Sequence, residues 1–202
     1  MQSEHYYTKK PASKLKIKEI EAVIKNNKFI FHTGSSIFSK TKADKGTILL
    51  IENSIIENKK EFTVLDMGCG YGIVGICLKK LNPEISVTCS DINQRAVMLA
   101  KKNAELNNVK INTIQSNLFE NIDKKFNAIL INLPQNAGKK VCHDMIEQSF
   151  THLSDNGTLQ VVSRHQKGGK EYEKKMKEIF NNSEHIAKGS GYRVYLSKKN
   201  QK

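Results

Sequence analysis

The sequence has no tryptophan, three prolines and four cysteines in 202 residues, and only three of its 33 basic side chains are arginine. Each shortage excludes something. Without a Pro-rich hinge or a low-complexity linker, nothing divides the chain into flexibly joined modules, and its length suits one domain with one core. Cys69, Cys77, Cys89 and Cys142 are scattered with no CxxC pair, which does not suggest a zinc site. No apolar run approaches the ~20 residues of a membrane span. Met1 to Lys10 is polar and lacks the apolar centre of a secretory signal. The reading is therefore of a soluble, cytoplasmic protein with no metal and no membrane partner, in a compartment where disulfides are not expected.

What is present in excess is positive charge. The formal net charge is +13 and the isoelectric point near 9.5. Such an excess favours an anionic partner, nucleic acid before others, although a chain this rich in Lys and Asn also spreads charge over solvated faces. Residues 1–60 hold 12 Lys against 6 acids, a balance of +6.

From residue 62 onward, short β-branched runs alternate with longer amphipathic segments, the pattern of a mostly parallel sheet covered by helices. Strands are predicted over Phe62–Asp66, Ile85–Ser90, Lys110–Gln115, Phe126–Ile131 and Thr158–Ser163. Helices are predicted over Ile73–Leu81, Asn93–Leu106, Gly138–Leu153 and Gly169–Phe180, with a turn at Asp155–Gly157. Ser183–Ala187 and Tyr192–Ser197 flank a short Gly-rich turn and must pair antiparallel, since a parallel return needs a long crossover. In the first sixty residues, Lys14–Lys25 reads as a helix, Phe29–Phe38 as extended chain, and Ile48–Asn58 as an apolar helix. That segment (1–60) is taken as an extension packed on the main domain (61–202).

The strongest local signal is Val64-Leu-Asp-Met-Gly-Cys-Gly-Tyr-Gly72. A strand ends near Asp66, and Gly68, Gly70 and Gly72 turn the backbone sharply before a helix, bringing bare N–H groups against a ligand. Asp91 closes the next strand, where a carboxylate can accept from both hydroxyls of a ribose. Gly70-Tyr-Gly-Ile-Val-Gly75 also satisfies the dinucleotide pattern GxGxxG. Asp66 favours a cationic, amino-bearing nucleoside such as S-adenosylmethionine over NAD, because a carboxylate there repels pyrophosphate. Asn132-Leu-Pro-Gln135 follows the fourth strand, at the carboxyl end where open α/β sheets place their sites. An aromatic amine is a poor nucleophile because its lone pair is delocalised into the ring. Two acceptors on its hydrogens, the Asn132 amide oxygen and the Leu133 carbonyl, would stabilise the charge that builds on methylation, with Pro134 stiffening the loop. A plain polar turn is the alternative reading of these four residues. His143, Arg164, His165 and Lys167 are lesser candidates for substrate or phosphate contact.

With these residues in view, the chain resembles the RsmC-type methyltransferases, which modify guanine N2 in ribosomal RNA. The resemblance runs through His5-Tyr-Tyr7, Ile37-Phe-Ser39, Asp44-Lys-Gly-Thr47, the glycine turn, Asp91-Ile-Asn-Gln-Arg-Ala96, Ala137-Gly-Lys-Lys140 and Gly191-Tyr-Arg-Val194. It implies a Rossmann-like class I α/β fold, with a seven-stranded, mostly parallel sheet and a terminal antiparallel hairpin. It also implies S-adenosyl-L-methionine as cofactor, held by Phe38, Thr47, Asp66, Gly68, Cys69, Gly70, Gly72, Asp91, Ile92, Asn117 and Asn132. In that scheme Asp91 takes the ribose, Ile92 packs on adenine, Asn117 accepts from the adenine amine, and Phe38 helps to close the pocket. Asn132, Leu133, Pro134 and Gln135 form the catalytic loop, and the partner is RNA, ribosomal RNA first. The family motif here is Asn-Pro-Pro-aromatic. With Leu133 and Gln135 in its place, no ring stacks on a flipped base, and guanine N2 and cytosine N4 both stand as targets. A non-catalytic RNA-binding protein of this fold, a protein glutamine-amide methyltransferase and an NAD-dependent dehydrogenase are the competing readings.

Overall fold

The computed structural model describes residues 16–34 and 43–200. In chain order these form β1 (Ile17–Ile24), β2 (Asn27–Gly34), α1 (Lys45–Asn53), β3 (Thr63–Met67), α2 (Ile73–Leu81), β4 (Ser86–Asp91), α3 (Gln94–Leu106), β5 (Asn112–Gln115), β6 (Phe126–Asn132), α4 (Lys139–His152), β7 (Leu153–Arg164), α5 (Lys170–Phe180), β8 (Glu184–Gly189) and β9 (Tyr192–Lys198). Seven strands make one sheet in the order β5-β4-β3-β6-β7-β9-β8. The first five of these neighbours run parallel, and β9 is antiparallel to both β7 and β8. This is the mostly parallel sheet with a terminal hairpin that the alternating pattern predicts, in the Rossmann-like, seven-stranded form that the resemblance implies.

Both faces of the sheet are covered, so its central strands are apolar on both sides. Val64, Ala128 and Leu130 point to the face covered by α1, α2 and α3, where Leu50, Ile76 and Leu99 are fully buried. Their neighbours Leu65, Ile129 and Ile131 point to the other face, against Ile146 of α4 and Met176 of α5. The order reverses between β3 and β6, with β4 to one side and β7 to the other. Ligands bind at such a switch point, beyond the carboxyl ends of the strands.

Three expectations about local structure are corrected. The segment read as a helix over Lys14–Lys25 is a strand where it is described: Ile20, Ala22 and Ile24 are buried at every second position. It pairs with β2 through a two-residue turn, Lys25-Asn26, with φ of 47° and 61°, a turn of the twist that hairpins favour. The hairpin is held on α3 by two buried amides. Asn103 Oδ1 accepts from the His32 N–H at 2.7 Å, and Asn107 Nδ2 donates to the Ile30 carbonyl at 2.7 Å. The apolar helix expected over Ile48–Asn58 starts earlier and stops earlier, as α1. Asp44 caps it by accepting from Gly46 N and Thr47 N, and beyond it the backbone of Ile55 is clamped by both ends of the buried Gln160 amide. The turn expected at Asp155–Gly157 is an irregularity inside β7, with Asn156 at φ 62°. Strand pairing passes from Phe126↔Leu153 directly to Ala128↔Thr158. A Cβ on Gly157 would lie 2.8 Å from the Ser154 carbonyl oxygen, so only glycine fits the crowded bulge.

Among the described residues no helix is long and apolar enough to cross a membrane, and no group of three His, Cys, Asp or Glu side chains is placed to hold a metal.

Candidate active site

The glycine turn leaves the centre of the sheet between β3 and α2. Gly68 N and Cys69 N both donate to the Ser90 carbonyl, at 2.8 and 2.9 Å, tying the turn to the end of β4. Gly70 has φ 56°, and a Cβ there would meet nothing within 4 Å. It is needed for its backbone conformation, and its open side faces the cleft. Gly72 plays another part. At φ 88° its Cα lies so near α3 that a Cβ would sit 2.9 Å from the Cβ of Ala100.

Two carboxylates stand behind the turn. Asp91 Oδ2 accepts from Gly70 N at 2.9 Å and Oδ1 from Asn93 N at 2.8 Å, so one side chain braces both the turn and the start of α3. Burial raises its pKa to about 6, against the lowering effect of those bonds. Asp66 lies deeper, 2% exposed, with Oδ2 accepting from Gly75 N at 2.9 Å. Burial pushes its pKa up to about 7, the Gly75 bond opposing and the nearby Asp91 charge adding to the rise. Among the described residues no cation pairs with it. A carboxylate buried at such cost is suited to a ligand that carries positive charge.

Gly75 explains why the chain also matches a dinucleotide pattern. A Cβ there would fall 2.4 Å from Cys89 Sγ and 3.0 Å from Val87 Cγ1, so this glycine sets the close packing of α2 on β4. Gly75→Ala is expected to cost about 1–3 kcal/mol through overpacking, which corresponds to ~2–4 °C of melting temperature per kcal/mol in a chain of this size. Scanning calorimetry measures it, and an unchanged melting temperature would contradict so close a contact.

At the end of β6, Asn132 Nδ2 donates to Thr47 Oγ1 at 2.8 Å. With the amide nitrogen engaged there, Oδ1 is the acceptor left for a ligand. Thr47 is in the first turn of α1, which Asp44 caps. The other oxygen of Asp44 accepts from Tyr192 OH at 3.0 Å, and that hydroxyl accepts from Arg164 Nε at 3.1 Å. Leu133 is 5% exposed, and its N–H is anchored on the Val162 carbonyl of β7. Gln135 N donates to the Leu133 carbonyl at 2.9 Å across Pro134, whose φ of −77° and ψ of 71° make an inverse γ-turn. A carbonyl has two lone pairs, so Leu133 can still accept from a substrate.

One cleft at the carboxyl ends of β3, β4 and β6 brings together Thr47, Asp66, Gly68, Cys69, Gly70, Asp91, Ile92, Asn117, Asn132, Leu133 and Pro134. Asn117 there donates Nδ2 to Glu120 at 2.6 Å, leaving its carbonyl oxygen as the free acceptor. Gly72 and Gln135 are not in its lining. Gly72 packs on α3, and the Gln135 amide donates to the Lys167 backbone carbonyl. Phe38, with His5-Tyr-Tyr7 and Ile37-Phe-Ser39, lies outside the described residues. His143 faces α5, its Nε2 3.3 Å from the Glu171 carboxylate and its ring edge-on to Tyr172. Arg164, His165 and Lys167 line a separate groove. Sequence reasoning missed the apolar wall of the cleft, above all Ala137, Val141 and Met145. Val141 and Met145 lie four residues apart on one face of α4, which was the available signal, while Ala137 precedes the helix in a short 3-10 turn.

The donor set fits a sulfonium nucleoside: a buried carboxylate without a counter-cation, a second carboxylate at a strand tip, a backbone turn open at Gly70, and apolar walls. Comparison with known proteins agrees. The family model described as methyltransferase small domain matches residues 28–196. The uncharacterized protein YbxB of Bacillus subtilis is 39% identical over 202 residues, covering 98% of this chain and 99% of its own. Ribosomal RNA small subunit methyltransferase C of Haemophilus influenzae is 31% identical over 166 residues, covering 80% of this chain but 49% of its own. The chain thus spans about half the length of that relative. Among solved structures, the Thermus thermophilus 16S rRNA N2 G1207 methyltransferase RsmC, in complex with AdoMet and guanosine, superposes with a TM-score of 0.81. It is 23% identical, over 94% of this chain and 52% of that one, a likeness of fold.

Proposed function

This chain belongs to the methyltransferase small domain family, its cofactor is S-adenosylmethionine, and from that premise we propose that it methylates an exocyclic amine of an RNA base, guanine N2 or cytosine N4, in ribosomal RNA. The observation that carries the reading is the Asn132 side chain at the cleft, with its nitrogen spent on Thr47. Its Oδ1 and the Leu133 carbonyl offer two adjacent acceptors and no cation. An aromatic amine needs that environment. Bonds accepted from its two hydrogens draw electron density onto nitrogen and stabilise the positive charge that develops there.

S-adenosylmethionine supplies an electrophilic methyl group on a sulfonium. The residues of this chain do the rest. Asp66 and Asp91 offer negative charge to the amino-acid and ribose parts, and the N–H groups around Gly68–Gly70 shape the turn that receives them. Ile92 offers an apolar surface to the adenine, and the Asn117 carbonyl oxygen an acceptor to its amine. Ala137, Val141 and Met145 give the base a dry wall on the other side. No general base is required, because the methylated, ammonium-like product is strongly acidic and sheds its proton to water. The names of the similar proteins and the +13 charge support RNA as the substrate.

The test is nucleoside mass spectrometry on ribosomal RNA from a strain lacking this gene. One methylated guanine or cytosine is expected to disappear and to return with the wild-type gene. An unchanged nucleoside profile would remove the proposal.

A further inference from the structure

Beside the active site lies a second concavity of about 640 Å³, formed by the β7–α5 connection and the β8–β9 hairpin turn. Its lining includes Arg164, Lys167, Lys188 and Arg193 and no acidic residue. Two of the three arginines in this lysine-dominated chain therefore meet at one place. Arginine presents a planar fork that matches phosphate geometry, which lysine cannot do. The Arg164 guanidinium lies over the Tyr192 ring at 5.1 Å and is braced there through Nε. Among the described residues none of the four cations has a carboxylate within salt-bridge distance. Three of the four lysines of α5 differ, since Lys174, Lys175 and Lys177 face Glu side chains.

Two hydrogen-bonded bridges join this groove to the catalytic loop. On one side the Gln135 amide donates to the Lys167 carbonyl, three residues after Asn132. On the other, Arg164 bonds to Tyr192, Tyr192 to Asp44, Asp44 caps the turn that holds Thr47, and Thr47 accepts from Asn132. The groove is thus continuous, through side chains and short backbone, with the acceptors that would meet the target amine.

We infer that this groove holds the phosphodiester backbone of single-stranded RNA next to the target nucleotide. The inference rests on the RNA reading above, and it adds where the polymer lies and which side chains hold it. Four unpaired cations around a concavity neutralise consecutive phosphates, and the free Watson–Crick edge of an unpaired base can then enter the neighbouring cleft. The link to Asn132 means that backbone binding and amide orientation share one set of hydrogen bonds.

The test uses the full chain, a fluorescein-labelled 20-nucleotide single-stranded RNA of mixed sequence, and the double variant Lys167→Gln/Lys188→Gln. Both lysines are exposed, so folding is not at issue. A charge-matched control, Lys101→Gln/Lys102→Gln, alters exposed positions on α3, which packs by β4 and β5 at the opposite edge of the sheet. The groove variant is expected to lose about tenfold in RNA affinity near 0.15 M salt, with its log–log salt slope flatter by about 1.4, since each single-strand phosphate contact contributes ~0.7. The control is expected to match the wild type, and cofactor affinity by calorimetry is expected to be the same in all three. Equal weakening in groove variant and control shows diffuse surface charge and overturns the inference. So does a wild type that binds polyglutamate but not RNA, the mark of an acidic protein partner. If the groove variant loses RNA binding and yet no RNA base is methylated by the wild type, the groove stands and the methylation proposal falls. If RNA is methylated and its KM is untouched by the groove variant, the groove falls alone.

Discussion

Asn132→Ala is expected to lower kcat for methyl transfer by about 10²–10³-fold, the usual effect of deleting one preorganised group that acts on developing charge, while cofactor affinity stays within a few-fold. The reason is where the amide sits. Thr47 holds Nδ2 at 2.8 Å, so the rotamer and the direction of Oδ1 are set before substrate arrives, and no reorganisation is needed as charge builds. Alanine leaves the cleft and both carboxylates in place but removes the acceptor. Single-turnover transfer of labelled methyl to ribosomal RNA from the deletion strain measures the chemical step, and calorimetry measures cofactor binding separately. Loss of cofactor binding in parallel with kcat would make Asn132 a ligand-holding residue. Activity within a few-fold of wild type would remove it from the chemistry.

The second large effect concerns Asp66 and pH. Its pKa of about 7 and that of Asp91, about 6, are raised by burial. A cationic ligand stabilises the ionised forms, so binding S-adenosylmethionine releases protons, and affinity rises as pH rises through these values. Between pH 8 and pH 6 the ionised fraction of a group with pKa near 7 falls about tenfold, and affinity is expected to fall by the same factor. Asp66→Asn should flatten that profile at a uniformly weak affinity. Folding stability moves the other way. The carboxyl has a higher pKa folded than unfolded, so it contributes fully below pH 3.8 and loses that contribution as pH rises toward 7. At pH 8 the ionised, ligand-free protein carries a penalty of roughly 4 kcal/mol. Asn132 is untouched by this, but Asp66→Asn is expected to raise the melting temperature of the ligand-free protein at pH 8 and to change it little near pH 4. A cofactor affinity independent of pH in the wild type, or a lower melting temperature in the variant at pH 8, would overturn the argument.

Some of this was plain in the residues and some was not, and the division follows the range of the interactions. The glycine turn, Asp91 and Asn132 declare themselves because each lies at the junction of a β-branched run and a helix, and their chemistry is local. The first hairpin misleads because Ile17, Ile20 and Ile24 fall at i, i+3 and i+7, a helical stripe. Only the left-handed Lys25-Asn26 turn and the partner strand decide otherwise. Val141 and Met145 look like any stripe that a helix turns toward a core, and which part of the stripe faces a cavity depends on strands far away in sequence. Gln135 reads as a contact to substrate, while the structure spends its amide on Lys167. Thr47 could be named from the resemblance, but its bond to Asn132 spans 85 residues, and no local pattern announces it.

The contact between Asp44 and Tyr192 has a temporal meaning. The two residues are 148 positions apart, and a Cβ on Gly46 would come within 2.6 Å of the Tyr192 ring, so the first turn of α1 lies flat against that ring. During synthesis, α1 can pack on α2, β6 and β7 as they emerge, but the Tyr192 ring that braces its first turn comes only with β9. Closing so long a loop is entropically costly and slow. The brace on the helix turn that carries Thr47, the partner of the Asn132 amide, is therefore completed among the later events of folding.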